Sequence, residues 1–306
     1  MKPIKHAFLF ILISMGSQAQ ETLLRNNFSV RDFFIKKDSI FLIEKRDVSY
    51  FNYLEKNRTV QTYFIGGYGL EIYDDSKNNQ IITVSNEFSR PVSSLRFYNK
   101  SFKEVKDVYY YTEGRSLDAI IIPDLNYAIL SLSDKKIIVV NYEKKPDYEI
   151  SHNITLSSIA RSMAFKDGYL YYATDLGEIF KYNFATKENT ILLAYEKMIT
   201  DFTIFDKYIV FTTKEGEIVK FSFENGFISK LDLSTDFILN SIQYQKDQLI
   251  CGTFKGKILV INVETMSILD QLNYHKRSIL KIVNYKNNEF YSSSIDKTIK
   301  KWKLIQ

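Results

Sequence analysis

One short pattern returns at an almost constant interval along this chain, and it restricts the fold more than any single motif does. A strand-like run ends in an apolar residue followed by a polar one, usually Asn or Ser. It occurs as Phe51-Asn52, Tyr98-Asn99, Val140-Asn141, Tyr182-Asn183, Phe221-Ser222, Ile261-Asn262 and Trp302-Lys303. Successive anchors lie 47, 42, 42, 39, 40 and 41 residues apart. Self-similarity at such a period marks a repeated supersecondary unit that cannot bury its apolar face alone and must stack on its neighbours.

The second half of the chain resolves the unit strand by strand. The anchor closes a strand in Ile179–Tyr182, Ile218–Phe221, Ile258–Ile261 and Ile299–Trp302. A tight turn precedes each one: Asp175-Leu176-Gly177-Glu178, Lys214-Glu215-Gly216-Glu217, Phe254-Lys255-Gly256-Lys257 and Ile295-Asp296-Lys297-Thr298. Three of these four turns carry Gly at one position, where a positive φ is tolerated. Upstream strands end in Thr174, Thr213, Thr253 and Ser294, and polar turns such as Lys166-Asp167-Gly168 separate them from an earlier strand. An outer strand, such as Phe227–Leu231 or Ser267–Leu272, completes the set. Four strands, A to D, per forty-odd residues is the period of a β-propeller blade.

Ala119–Ile122 and Ile137–Val140 are unbroken apolar runs, so both faces of those strands need cover. Strands wedged between two neighbouring blades have it. The expected architecture is therefore all-β, a seven-bladed propeller of four-stranded blades over residues 20–306. The last blade contains strands A to C before the chain stops at Gln306, and Glu21–Arg25 is expected to supply its outer strand.

The first nineteen residues read as a secretory signal. Lys2 and Lys5 precede an apolar run from Ala7 to Ile13, and Ser17-Gln18-Ala19 places small residues where cleavage after Ala19 needs them. The run is too short to span a bilayer, which takes about 20 residues. The mature chain is thus expected to be exported, to the periplasm or beyond, without a transmembrane segment. Its balance of 41 − 2 = 39 basic against 36 acidic residues, +3, is too small for a general nucleic-acid binder.

Chemistry is sparse. A single cysteine, Cys251 in an apolar context, excludes a disulfide framework and a multi-cysteine metal site. His152 and His275 are the mature histidines; His152 reads as an ordinary surface residue, and no nucleophile elbow accompanies either. Asp124, Asp134, Asp175 and Asp296 sit near turns, which turn chemistry explains. Gly66-Gly67-Tyr68-Gly69 reads as a turn before a strand and not as a phosphate loop. The expectation is a protein with no catalytic, cofactor or metal site.

The last repeat, His275 to Trp302, resembles a WD40 repeat, with Ser292-Ser293-Ser294-Ile295-Asp296-Lys297-Thr298-Ile299-Lys300-Lys301-Trp302 similar to that family's strand–turn–strand signature. The resemblance implies a structural hydrogen-bond chain through His275, Ser292 or Ser294, Asp296 and Trp302. Lys303 stands where that family has Asp, and the other repeats lack the signature. Tyr171–Ile179 is similar to exported PQQ-type repeats, although the tryptophan docking motif is missing.

Arginines are scarce, nine against 32 lysines, so their positions carry information. Arg31, Arg115, Arg161 and Arg277 fall in D–A loops or at the entrance of a strand A, and Arg46 and Arg90 in B–C turns. These two loop classes share one face of a propeller. With Tyr68 and Lys276 they form the candidate partner-binding site, suited to a protein or acidic peptide. The expected function is a non-catalytic binding or scaffold module, monomeric or within a hetero-complex. A lactonase- or quinoprotein-like propeller enzyme, or a structural subunit of an envelope assembly, is the other reading.

Overall fold

A computed structural model describes residues 21–25, 28–44, 47–52, 61–64, 67–99, 105–226, 228–245, 247–286 and 288–304. The signal-like residues 1–19 and Arg46 lie outside the described residues. The chain forms seven four-stranded antiparallel sheets, each ordered A–B–C–D, arranged as the blades of a propeller. Blade 1 begins with Val30–Lys36, and the inner strands of blades 2 to 7 are Gly67–Asp75, Ser116–Ile122, Ala160–Lys166, Ile199–Ile204, Ile238–Gln243 and Ile279–Asn284. One 3-10 turn, Pro123–Leu125, is the only helical element among the described residues.

The ring closes between its termini. Glu21–Arg25 pairs antiparallel with the third strand of blade 7, Thr298–Lys303, placing Thr22 opposite Lys300 and Arg25 opposite Thr298. Leu23 and Leu24 are both buried in the closure. A bulge between Thr22 and Leu24 lets these adjacent residues both turn inward.

Packing follows from the apolar runs. Ile137, Ile138, Val139 and Val140 are fully buried, and their pleat divides them between two cores. Ile138 and Val140 join Leu95, Phe97 and Leu130 on the side of blade 2. Ile137 and Val139 join Met163, Leu170 and Tyr172 of blade 4. Burying one such side chain contributes roughly 1.5–3 kcal/mol, so this third strand of blade 3 stabilises two interfaces at once.

The B–C turns behave as their glycines demand. Gly177, Gly216 and Gly256 have φ of 79°, 91° and 87°, and Lys297 holds the equivalent place at 68°. The cluster read as a turn at Gly66–Gly69 differs: Gly67, Tyr68 and Gly69 already belong to the inner strand of blade 2. A Cβ at Gly67 would overlap the Asn86 carbonyl, and one at Gly69 the Glu44 carbonyl. Close backbone approach, not turn formation, is what those glycines serve.

Every inner strand carries a bulge at the same place. The register shifts between Val30 and Asp32, Gly69 and Glu71, Ser116 and Asp118, Ala160 and Ser162, Ile199 and Asp201, Ile238 and Asn240, and Ile279 and Lys281. Bulges re-aim the residues beside them. Here they set what lines the central channel.

Candidate binding face

In an antiparallel four-stranded blade, the D–A loops and B–C turns necessarily emerge at the same end. Arg31, Arg90, Arg115, Arg161, Lys276 and Arg277, the described basic members of the predicted set, therefore lie toward that end, but their partners separate them. Arg90 pairs with Glu87 at 2.8 Å. Arg115 reaches over the same turn and donates to the carbonyls of Arg90 (3.3 Å) and Phe88 (3.2 Å). Arg161 grips Asp175 with two hydrogen bonds of 2.6 and 3.1 Å. These three guanidinium groups brace their own loops. Tyr68 sets its ring edge-on against Phe88, 4.5 Å between centroids.

Arg31, Lys276 and Arg277 are exposed, and their side chains have no ion-pair partner among the described residues. Beside Arg277 stands an aromatic pair that no repeat motif marks in the sequence. Phe254, in the B–C turn of blade 6, is 51% exposed and stacks on Phe237 at 4.9 Å with the rings 15° apart. The Phe254 carbonyl accepts the Ser278 hydroxyl at 2.7 Å, which ties this turn to the loop carrying Lys276 and Arg277. Buried Asp236 accepts the amides of Phe237 (2.9 Å) and Lys255 (3.1 Å), fixing the pair from below. Leu176 projects from the corresponding turn of blade 4, 61% exposed. The signal was a large apolar residue in a turn whose siblings offer Asp175 and Lys214.

The bulges build a polar belt around the channel, one residue per blade: Asp32, Glu71, Asp118, Ser162, Asp201, Asn240 and Lys281. Several stitch a blade to the next. Asp32 accepts the Ile72 amide (2.9 Å), Asp118 that of Met163 (2.7 Å), Asp201 that of Ser241, and Asn240 that of Ile282 (2.9 Å). Ser162 donates to Asp201 at 2.9 Å. Lys281 bridges Asp32 at 3.0 Å and Glu71 at 3.2 Å. Burial raises the Glu71, Asp118 and Asp201 carboxyls above the ordinary range, Asp118 to about 7. All of the belt except Asp32 lines a cavity of about 540 Å³, together with Arg31, Arg161 and Tyr73. A polar residue at the third place of six inner strands, and at the fifth of Gly67–Asp75, was its sequence signature.

The hydrogen-bond chain of blade 7 is continuous. Trp302 donates to Ser292 Oγ (2.7 Å), Ser292 meets His275 Nε2 (2.8 Å), and His275 Nδ1 meets Asp296 Oδ2 (2.9 Å). Ser294 stands beside it, donating to the Arg277 carbonyl at 2.8 Å. Burial lowers the His275 pKa, so a neutral ring donating to Asp296 and accepting from Ser292 leaves every buried donor paired. Blade 5 fastens the equivalent loop differently. Tyr195, four residues before Ile199 as His275 is before Ile279, donates to Glu217 at 2.9 Å, and Lys197 and Lys230 bind the same carboxylate. Against a burial that opposes it, these donors hold Glu217 down at about 2.

His152 is not the surface residue its sequence context suggested. It is half-buried against Tyr127, Tyr182 and Phe184, its Nε2 3.3 Å from the Phe184 carbonyl. The neighbouring blade supplies Tyr182 and Phe184, which the local sequence of strand Glu149–Thr155 could not show.

No family model matches the chain, and no curated protein matches it. Among solved structures, the chain is similar to a crystal structure of the computationally designed Ika8 protein. The two share 12% identity and a TM-score of 0.67, covering 92% of this chain and 98% of that one. At that identity the likeness concerns the fold.

Proposed function

We propose that this propeller is an exported, non-catalytic binding or scaffold module of WD40-like type. Its partner docks on the face formed by the D–A loops and B–C turns. The observation that carries the reading is the juxtaposition of exposed Phe254, stacked on half-buried Phe237, with unpaired Lys276 and Arg277. Aromatic anchors beside arginine are what interface hot spots use, and a planar guanidinium suits carboxylates. The favoured partner is a protein segment or peptide that brings acidic and apolar side chains together.

Export rests on the leader-like residues 1–19, and the WD40-like assignment on blade 7 with its His275–Ser292–Trp302 chain. N-terminal mass spectrometry of protein recovered outside the cytoplasm checks the first, the expected start being Gln20. For docking, an acidic, aromatic-containing peptide library is titrated against the wild type and a Phe254→Ala/Arg277→Ala variant. Selected peptides are expected to lose at least tenfold in affinity while the melting temperature holds. Equal binding by both proteins would overturn the assignment of this face.

A further inference from the structure

The closure of the ring creates a second feature on blade 7. Thr22 and Arg25 of the N-terminal strand, Tyr274 and Lys276 of the preceding loop, and Asp296, Lys297, Thr298 and Lys300 of the last hairpin enclose a cavity of about 260 Å³. Four cations thus meet one carboxylate. Both oxygens of Asp296 are engaged within the blade. Oδ2 accepts from His275 and the Lys276 amide, and Oδ1 from the amide and hydroxyl of Thr298. None of Arg25, Lys276, Lys297 and Lys300 forms an ion pair with a carboxylate among the described residues.

Lys300 is the telling member. It is 7% exposed, yet its ammonium, with three protons to donate, has a single described acceptor, the Tyr274 carbonyl at 2.6 Å. Burial lowers its pKa; Asp296 works against that, and nearby Arg25 and Lys276 lower it further. A buried cation among like charges is costly unless an anion answers it. Lys297 adds to the arrangement from a left-handed backbone, in the place that blades 4 to 6 give to glycine.

We propose that this seam is a binding pocket for a doubly charged tetrahedral oxyanion, either free phosphate or a phosphate monoester. Such an anion would accept hydrogen bonds from Lys300, Arg25 and the Thr22 hydroxyl at once, the Thr298 hydroxyl being already committed to Asp296. Because Thr22 and Arg25 belong to the closing strand and the rest to blade 7, occupancy also clamps the ring shut. Lys276 also borders the peptide-docking face, but the residues that test the pocket, Arg25 and Lys297, are distinct from Phe254 and Arg277, which test docking.

The test is calorimetric titration of the full mature chain with inorganic phosphate, and separately with phenyl phosphate. Ionic strength is held constant with sodium chloride, and melting curves are taken in parallel. One saturable site and a rise in melting temperature are expected. Saturation by inorganic phosphate alone would identify the free ion as the ligand, and tighter binding of phenyl phosphate an ester. Lys297→Gly removes a charge while restoring the residue that the sibling turns use, so it should keep the melting temperature in chloride. It and Arg25→Gln should each weaken the anion about tenfold or more, as loss of one charge-assisted contact implies. The proposal is overturned if no saturable site is found. It is equally overturned if chloride reproduces the stabilisation, or if both variants bind as the wild type does.

Discussion

The indole nitrogen of Trp302 donates to Ser292 Oγ over 2.7 Å, and that hydroxyl in turn lies 2.8 Å from His275 Nε2. One serine thus satisfies two buried rings from two different segments. Ser292→Ala should leave both unpaired and cost about 1–3 kcal/mol. Trp302→Phe keeps a ring to stack on Phe290, 5.9 Å away and nearly parallel, and should cost less than Trp302→Ala, at about 3–5 kcal/mol. Denaturant unfolding of the single variants and the Ser292→Ala/Trp302→Phe pair gives the coupling. Fully additive costs would contradict a shared hydrogen bond.

Acid should weaken blade 7. His275 is held below its ordinary pKa by burial. Asp296 is held below the ordinary carboxylate range by its hydrogen-bond donors, although burial opposes them. Both sites bind fewer protons folded than unfolded, so their contribution is present at neutral pH. The histidine share is lost as pH falls below about 6.5, and the aspartate share below about 4. The penalty of His275→Gln should accordingly shrink between pH 7.5 and pH 5, read from urea midpoints at each pH. A penalty that stays constant would mean the ring does not titrate with folding.

The channel belt should respond in the opposite sense. Asp118 is raised to about 7, so it destabilises the fold increasingly as pH climbs from about 4 through 7. Asp118→Asn retains an oxygen to accept the Met163 amide and removes the charge. Stability should rise by about 1–3 kcal/mol at pH 8, with no gain near pH 4. A loss at pH 8 would show that the ionised carboxylate is needed there.

Closure should matter to the whole ring. Leu24 is 7% exposed within the N-terminal strand, and Leu24→Ala should cost about 2–4 kcal/mol. Deleting residues 21–25 should lower the melting temperature further and promote aggregation, since Thr298–Lys303 would become an open edge. Unchanged thermal and light-scattering curves would show that the strand pairing adds nothing.

Much of this molecule is written locally. The interval between anchors, the apolar runs at Ala119–Ile122 and Ile137–Val140, and the Gly177, Gly216 and Gly256 turns lead to seven four-stranded blades. So does the blade that lacks its fourth strand until Glu21–Arg25 returns to it. These features depend on period, turn chemistry and two-sided burial, all of which lie within one repeat or at the chain ends.

What the repeats could not specify is which side chains of different blades meet. Asp32 finds Ile72, Lys281 finds Glu71, and His152 finds Phe184 across distances of tens to hundreds of residues in sequence. Arg161 and Arg277 look alike in the sequence, yet Asp175 neutralises the first and nothing described neutralises the second. The strand period repeats the backbone faithfully and is indifferent to charge. The ring then brings equivalent positions of neighbouring blades together, and the identities that happen to face one another decide what is fastened and what is left to bind.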